Sequence, residues 1–268
     1  MILLLPRLLL PRAVHSPPPS VDTVESRPVG AFKNALLKLK TLPATVVDIH
    51  QPAERFRLIT LEGEALKKVQ WRPGQKIQMR LGGFTARTYT PILWDATEGV
   101  TQILTYLHYQ MVATTPGTLW AHGVGIGDRC SLSAPRESLN LSALPRPTVF
   151  FGDETSIGLA RALKATARGF DDMTFVLEVT SPAEARKVLD ALNMPNISLV
   201  ARTRDDAHLS RVEEILQQSL ESSATTQFVM SGKARSIQRL TQFLRARNVP
   251  ASQLNSRAYW TPGKTGLD

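Results

Sequence analysis

About halfway along the chain the spacing of apolar residues changes, and that change restricts the fold more than any other feature. Between Leu42 and Asn140 come short β-rich runs parted by turn residues: ATVVDIH, RFRLITL, QKIQMRL, ARTYTPIL, TQILTYLHY and DRCSLSA. Six such runs at close spacing predict an antiparallel barrel or sandwich. After Pro145 apolar strands alternate with stretches of helical period: TVFFG, SIGLARALKATAR, TFVLEV, SPAEARKVLDAL, ISLVAR, AHLSRVEEILQQSL, QFVMSG, ARSIQRLTQFLRAR and SRAYW. This β-α repeat implies a parallel sheet. Ser181, Pro182 and Glu184 stand where a capping serine, an N1 proline and an N3 glutamate belong. The expected architecture is therefore an antiparallel six-stranded barrel over residues 42–143 and a parallel-sheet, Rossmann-like α/β domain over 144–268, with the boundary around residues 139 to 147. Residues 1–41 are expected to form a poorly ordered extension, although Gly30 to Lys40 carries a short amphipathic pattern.

Charge and cysteine usage narrow the function classes. The formal charge of +9 is spread along the chain, whereas phosphate contacts to nucleic acid need it gathered on one face or arm. We expect no nucleic-acid partner, and a mildly basic surface suited to small anions. The single cysteine, Cys130, excludes an intramolecular disulfide and argues against an iron-sulfur cluster, which needs about four ligands; a reducing cytoplasm is the expected setting. The scattered histidines form no metal-binding pattern. The opening MILLLPRLLL is broken by Pro6 and Arg7 and is far too short to span a bilayer. It reads as a tail, with a targeting segment as the alternative, and no membrane association is expected.

Five constellations carry candidate chemistry. In Arg87-Thr88-Tyr89-Thr90 the arginine can fork onto a pyrophosphate, and the tyrosine ring and threonine hydroxyl suit a flat heteroatom-rich ring; an ordinary edge strand is the plainer reading. Trp71 to Gln75 is a turn that decides nothing by itself. His108 ends a strand and is followed by Gly117 and Thr118, which would open a short helix with free backbone N–H groups, an anion site. Gly152 to Gly158 follows an apolar strand at the turn where parallel sheets bind ligands, without being a Gly-x-Gly-x-x-Gly fingerprint. Ser231-Gly232-Lys233 and the terminal Tyr259-Trp260 complete the set, the aromatics serving either a site or the stapling of the tail.

Taken in order, these residues resemble the siderophore-interacting protein family, ferric-siderophore reductases related to ferredoxin-NADP reductases. The resemblance spans roughly residues 42 to 265. It implies an FAD-binding barrel domain and a nicotinamide-binding α/β domain. Arg87 would lie toward the FAD pyrophosphate, Tyr89 and Thr90 near the isoalloxazine with Thr88 beside them, and His108 along the ribityl or adenine side. Gly117 and Thr118, before Trp120, look like the family's pyrophosphate-binding helix start. Asp153, Glu154 and Thr155, followed by Ser156, look like its Gly-Asp-Glu-Thr signature, and Tyr259-Trp260 matches its aromatic last strand. Two departures stand out: Ala258 replaces the usual glycine before Tyr-Trp, and the Gly-Pro-Ala-Ser type of loop reads Thr115-Pro116-Gly117-Thr118.

The implied cycle is hydride transfer from NAD(P)H to the flavin, then single-electron reduction of a ferric siderophore, which releases Fe(II) without a protein metal ligand. Lys264, Arg136 and Lys76 are candidate recruiters of an anionic chelate, each with solvated surface charge as the plainer reading. For the nicotinamide, Glu178 at the end of the second α/β strand could bind a ribose diol. Arg202 and Arg204 could grip a 2′-phosphate, which favours NADPH; Gly232 is a further expected contact. A ferredoxin is the alternative electron donor, and the chain is expected to be a monomer. A flavin reductase that passes electrons to a protein partner, or a siderophore-binding protein without flavin, are the competing classes.

Overall fold

The computed structural model describes residues 41–263 apart from 82–84, 109–114, 140–146 and 167–172. The expected N-terminal extension to Lys40, most of the domain boundary and Lys264 lie outside the described residues.

The first half is a curled antiparallel sheet of seven strands in the order β4-β3-β7-β1-β2-β6-β5. Its strands are β1 (Thr41–Ala53), β2 (Phe56–Glu62), β3 (Ile77–Arg80), β4 (Ala86–Tyr89), β5 (Pro91–Asp95), β6 (Val100–Tyr106) and β7 (Arg129–Ser133). Six were expected; the difference lies in ARTYTPIL, which is two strands meeting at Thr90. β4 pairs with β3 and β5 with β6, so the strands on opposite edges of the sheet are joined by a single residue. The sheet must curl to bring its edges together, as barrels do. Pro91, without an N–H, opens β5 at an edge, where a missing ladder bond is tolerated.

Alternation sorts the side chains of β6. Thr101, Ile103 and Thr105 are buried in the barrel, while Gln102, Leu104 and Tyr106 keep partial exposure on the other face. The interior is filled by Val46, Ile59, Leu61, Ile77, Met79, Ile103 and Leu132.

The second half is a parallel sheet ordered β10-β9-β8-β11-β12. It comprises β8 (Thr148–Asp153), β9 (Met173–Val179), β10 (Ser198–Ala201), β11 (Gln227–Lys233) and β12 (Leu254–Trp260), connected through α2 (Ile157–Thr166), α3 (Pro182–Ala191), α4 (Leu209–Ser222) and α5 (Ala234–Arg245). Each element falls where the sequence periodicity puts it. β8 is the central strand and all six of its residues are buried, as expected of a strand covered on both faces. Ser181 caps α3, its hydroxyl accepting from the Glu184 N–H at 3.3 Å. The Glu184 carboxylate turns instead to Arg55 of the barrel at 3.7 Å.

The two halves share one apolar cluster. Ala53, Phe56 and Ile92 of the barrel pack with Phe150, Ile157, Leu163 and Leu189 of the α/β domain. A buried side chain of this size stabilises by about 1.5–3 kcal/mol, so the junction is held as a core is held. Gly158 marks a close approach, since a Cβ there would come within 2.8 Å of the Thr90 carbonyl oxygen.

Candidate functional site

A cleft of about 220 Å³ opens where the barrel faces the carboxyl ends of the parallel strands. Three pieces of the barrel side build it. β4 supplies Ala86 to Tyr89, and Thr90 follows. β6 supplies Leu104 and Tyr106 from its half-exposed face, with His108 just beyond. The third piece is α1 (Pro116–Gly123), where Thr115 caps the helix by accepting from the Thr118 N–H at 3.3 Å. The Thr118 hydroxyl in turn accepts from the His108 backbone N–H at 3.1 Å, fixing the helix start to the end of β6. At the other end of α1 the Arg57 guanidinium donates to the carbonyls of Ala121 and His122, a cation placed where the helix dipole favours one.

Gly117 lies against β4: a Cβ there would stand 3.3 Å from Arg87 Cγ and 3.6 Å from the Tyr89 hydroxyl. Arg87 and Tyr89 therefore both face the helix start, as strand alternation requires. Thr88 and Thr90 also line the cleft, because it wraps around the edge of the short strand. Trp120 packs behind Tyr89 at 6.0 Å between ring centroids and belongs to the barrel's apolar cluster rather than to the cleft wall. The Tyr106 ring stands edge-on to His108 at 4.7 Å, and His108 in turn to Trp260 at 5.5 Å. Burial lowers the His108 pKa, which favours the neutral imidazole, and raises that of the Tyr106 phenol.

The α/β side contributes Thr155, Gly158 and Arg257 to Trp260 to the lining, above a buried network of charges. Asp153, at the end of β8, has no exposed surface. One of its oxygens accepts from the Thr155 N–H (2.9 Å) and the hydroxyls of Thr155 (2.6 Å) and Ser156 (3.3 Å), and the other from Trp260 Nε1 (2.6 Å). Burial, reinforced by the neighbouring charge of Glu154, pushes its pKa up to about 6. Glu154 goes the other way. Burial opposes its charge, but Arg202 grips both carboxylate oxygens, at 2.7 and 3.3 Å, and holds its pKa below the usual carboxylate value. The Thr180 N–H adds a bond of 2.5 Å to the same carboxylate.

The residues expected for the nicotinamide do not form one surface. Glu178 is fully buried and faces Asp153 in register on β9. Its carboxylate is taken by His208 Nε2 at 2.7 Å, with Arg202 Nε at 3.9 Å, so a ribose reading of Glu178 is corrected: it pairs with protein groups, not with the cleft. Because the Thr203 N–H points at His208 Nδ1, that nitrogen acts as acceptor and Nε2 as donor to Glu178. Arg202 is committed to Glu154 and lies 5.8 Å from the Trp260 ring centroid. Arg204 is exposed in the loop beyond β10, and Gly232 sits against the Asp153 carboxylate.

Of the expected chelate recruiters, Lys76 lines the cleft with 8% exposure, and it exchanges two backbone hydrogen bonds of 2.8 Å with the exposed Arg136. Sequence reasoning missed Tyr106 and Arg257, and reached Gly158 only as the end of the Gly152 to Gly158 turn. The alternation Leu104, Tyr106, His108 along β6 and just past its end was the available signal for the first; nothing local marks Arg257.

Residues 145–263 match the family model described as siderophore-interacting protein. Among solved structures, the siderophore-interacting protein of Acinetobacter baumannii is similar at TM-score 0.68 and 17% identity, over 84% of this chain and 92% of that one. A siderophore utilization protein from T. fusca gives 0.66 and 21%, over 85% and 95%. The ferredoxin reductase of carbazole 1,9a-dioxygenase gives 0.63 and 16%, over 82% and 70%. These likenesses show the fold, a barrel followed by a parallel α/β domain. No curated protein sequence matches the chain.

Proposed function

Starting from a chain whose residues 145–263 match the siderophore-interacting protein family model, we propose that it is an FAD-dependent oxidoreductase that reduces ferric siderophores, with NAD(P)H as electron donor and a ferredoxin as the alternative. One observation carries this reading. Arg87 to Thr90, His108, Gly117, Thr118, Thr155, Tyr259 and Trp260, far apart in sequence, line a single cleft between barrel and α/β domain.

The residues fit the cofactor. Gly117 leaves open the space beside the Arg87 stem that a Cβ would enter; the guanidinium, which donates to the Ala86 carbonyl at 2.7 Å, and the first turn of α1 are the groups that would hold a pyrophosphate. Tyr89, Thr90, Tyr106, Thr155 and Trp260 offer rings and hydroxyls for a flat ring with polar edges. Bound there, FAD would accept a hydride and pass electrons on one at a time. The chain's own residues bind and orient. Arg87 holds charge, Tyr106, neutral His108 and Trp260 form one contiguous aromatic wall, and Lys76 with Arg136 favours an anionic chelate at the rim. Ferric iron is substrate here. Among the described residues no helix is long and apolar enough to cross a membrane.

The test is the visible spectrum of the purified chain, first alone, then under anaerobic NADPH, then with a ferric siderophore. Flavin bands that bleach with NADPH and return with the chelate support the cycle. Bleaching without return moves the reading to a flavin reductase with a protein partner. Absence of flavin after added FAD overturns it. A reduced ferredoxin, offered in place of NADPH, distinguishes the two donors.

A further inference from the structure

We propose that Asp153 is a positioning residue, whose carboxylate reaches over Gly232 and holds the indole of Trp260 in the wall of the cleft. The proposal rests on the flavin reading for its purpose, though not for its geometry.

Asp153 ends β8 and Trp260 ends β12, and these strands are not neighbours: β11 runs between them. Yet Trp260 Nε1 donates to Asp153 Oδ2 at 2.6 Å, across 107 positions of sequence. The bond crosses β11 at Gly232. A Cβ there would lie 2.4 Å from Oδ2 and 2.5 Å from Cγ, closer than any side chain tolerates, and the residue has φ +106. Only glycine both accepts that backbone conformation and leaves the passage open. The β11–β12 register supports the same arrangement. It slips after the Gly232 to Ala258 pair, so that Lys233 stands opposite Trp260 and Tyr259 is skipped.

The carboxylate is aimed before it meets the indole. Its Oδ1 is occupied by the Thr155 N–H and by the Thr155 and Ser156 hydroxyls, leaving Oδ2 directed at β12. The indole is then fixed at its nitrogen by Asp153, bordered by Arg202 at 5.8 Å and met at its edge by His108 at 5.5 Å. Because Trp260 lines the cleft beside Thr155 and Tyr259, its orientation sets the space available to a second ring entering there. Asp153 itself touches no cleft surface; it acts through Trp260.

Indole N–H resonances of the 15N-labelled apo chain test this without any cofactor. The chain has four tryptophans, and W260F identifies the Trp260 signal by its loss. D153N should move that signal and speed its solvent exchange. G232A should do the same with Asp153 intact, because the new Cβ displaces the carboxylate. The other three indole signals should stay in place, showing that the fold is kept. If D153N fails to fold, G232A carries the test. A Trp260 signal unmoved in whichever of these variants folds overturns the proposal.

Kinetics with NADPH then addresses purpose. D153N and W260F should each change KM for NADPH by about ten-fold, the scale of one hydrogen bond to a charged group, and the double variant should be no worse than the worse single. Independent, multiplying effects would overturn the positioning role. Indole shifts as expected in a chain that takes up no flavin would leave the latch standing and defeat the flavin reading alone.

Discussion

The two walls of the cleft are built on opposite plans. On the barrel side, Arg87, Thr88, Tyr89, Thr90, Tyr106 and His108 all reach the cleft and keep partial exposure, and their mutual bonds are few. On the α/β side Arg257 reaches the cleft, but the acidic residues turn inward: Asp153, Glu154 and Glu178 are buried and are met by Thr155, Trp260, Arg202 and His208. One wall presents its chemistry, while the other spends its charges on holding strand ends together. A polar network in a low-dielectric interior is costly unless satisfied and rigid once it is. Glu178 Oε1 and Arg202 Nε have no hydrogen-bond partner among the described residues, but the other buried contacts tie the ends of β8, β9, β10 and β12 together, so the network serves as a frame.

That contrast breaks most sharply at Arg202. Arg202→Ala would leave Glu154 buried without its cation, and removing one member of a buried ion pair costs about 3–5 kcal/mol. Urea unfolding of the apo chain should show a loss of that size; a loss below about 1 kcal/mol, typical of an exposed pair, would mean the network is not a frame. Arg87→Ala should behave in the opposite way. The apo unfolding midpoint should hardly move, while FAD affinity falls about 10- to 100-fold, the equivalent of about 1.5–3 kcal/mol for a bond to a charged group. Titration of the apo chain with FAD measures it, and unchanged affinity would displace the proposed site.

Gly158→Ala probes the seam between the two plans. Its new Cβ would meet the Thr90 carbonyl oxygen at 2.8 Å, a backbone atom that cannot swing aside as a side chain would, so the walls must separate. Overpacking of this kind costs about 1–3 kcal/mol. Both stability and flavin affinity should fall together, unlike either variant above; a loss in one alone would show that the walls are less coupled than the shared apolar cluster implies.

What the sequence made legible follows the same division. Periodicity placed every strand and helix of the α/β domain, because each buries an apolar stripe set by its own residues. The sequence also singled out Arg87 to Thr90, His108 and Gly117-Thr118, whose chemistry is local and which line the cleft. It merged β4 with β5, since the turn at Thr90 is imposed by which edges the neighbouring strands pair with. It offered Glu178 as a ribose ligand and Arg202 as a phosphate clamp, and the fold turns the first to His208 and the second to Glu154. Nothing near either position reveals that His208, 30 residues on, and Glu154, 48 residues back, will claim them. Charged residues at strand ends look alike in sequence whether they face a ligand or one another, and only the assembled sheet separates the two cases.

The finest test uses the smallest change. Gly117 occupies the first turn of α1 with an ordinary backbone conformation, so Gly117→Ala should favour the helix, by up to about 1 kcal/mol if the position behaves as a helix interior. The added Cβ would nevertheless stand 3.3 Å from Arg87 Cγ and 3.7 Å from Cδ, tight enough that the side chain must give by a few tenths of an ångström. Stability of the apo chain should thus stay level or rise slightly, while FAD affinity drops only a few-fold as the guanidinium is displaced. Opposite signs from one methyl group are hard to obtain unless Arg87 and the helix start share a ligand. If affinity is unchanged while stability rises, the arginine reaches the cofactor, if at all, from the side of its stem that α1 does not touch.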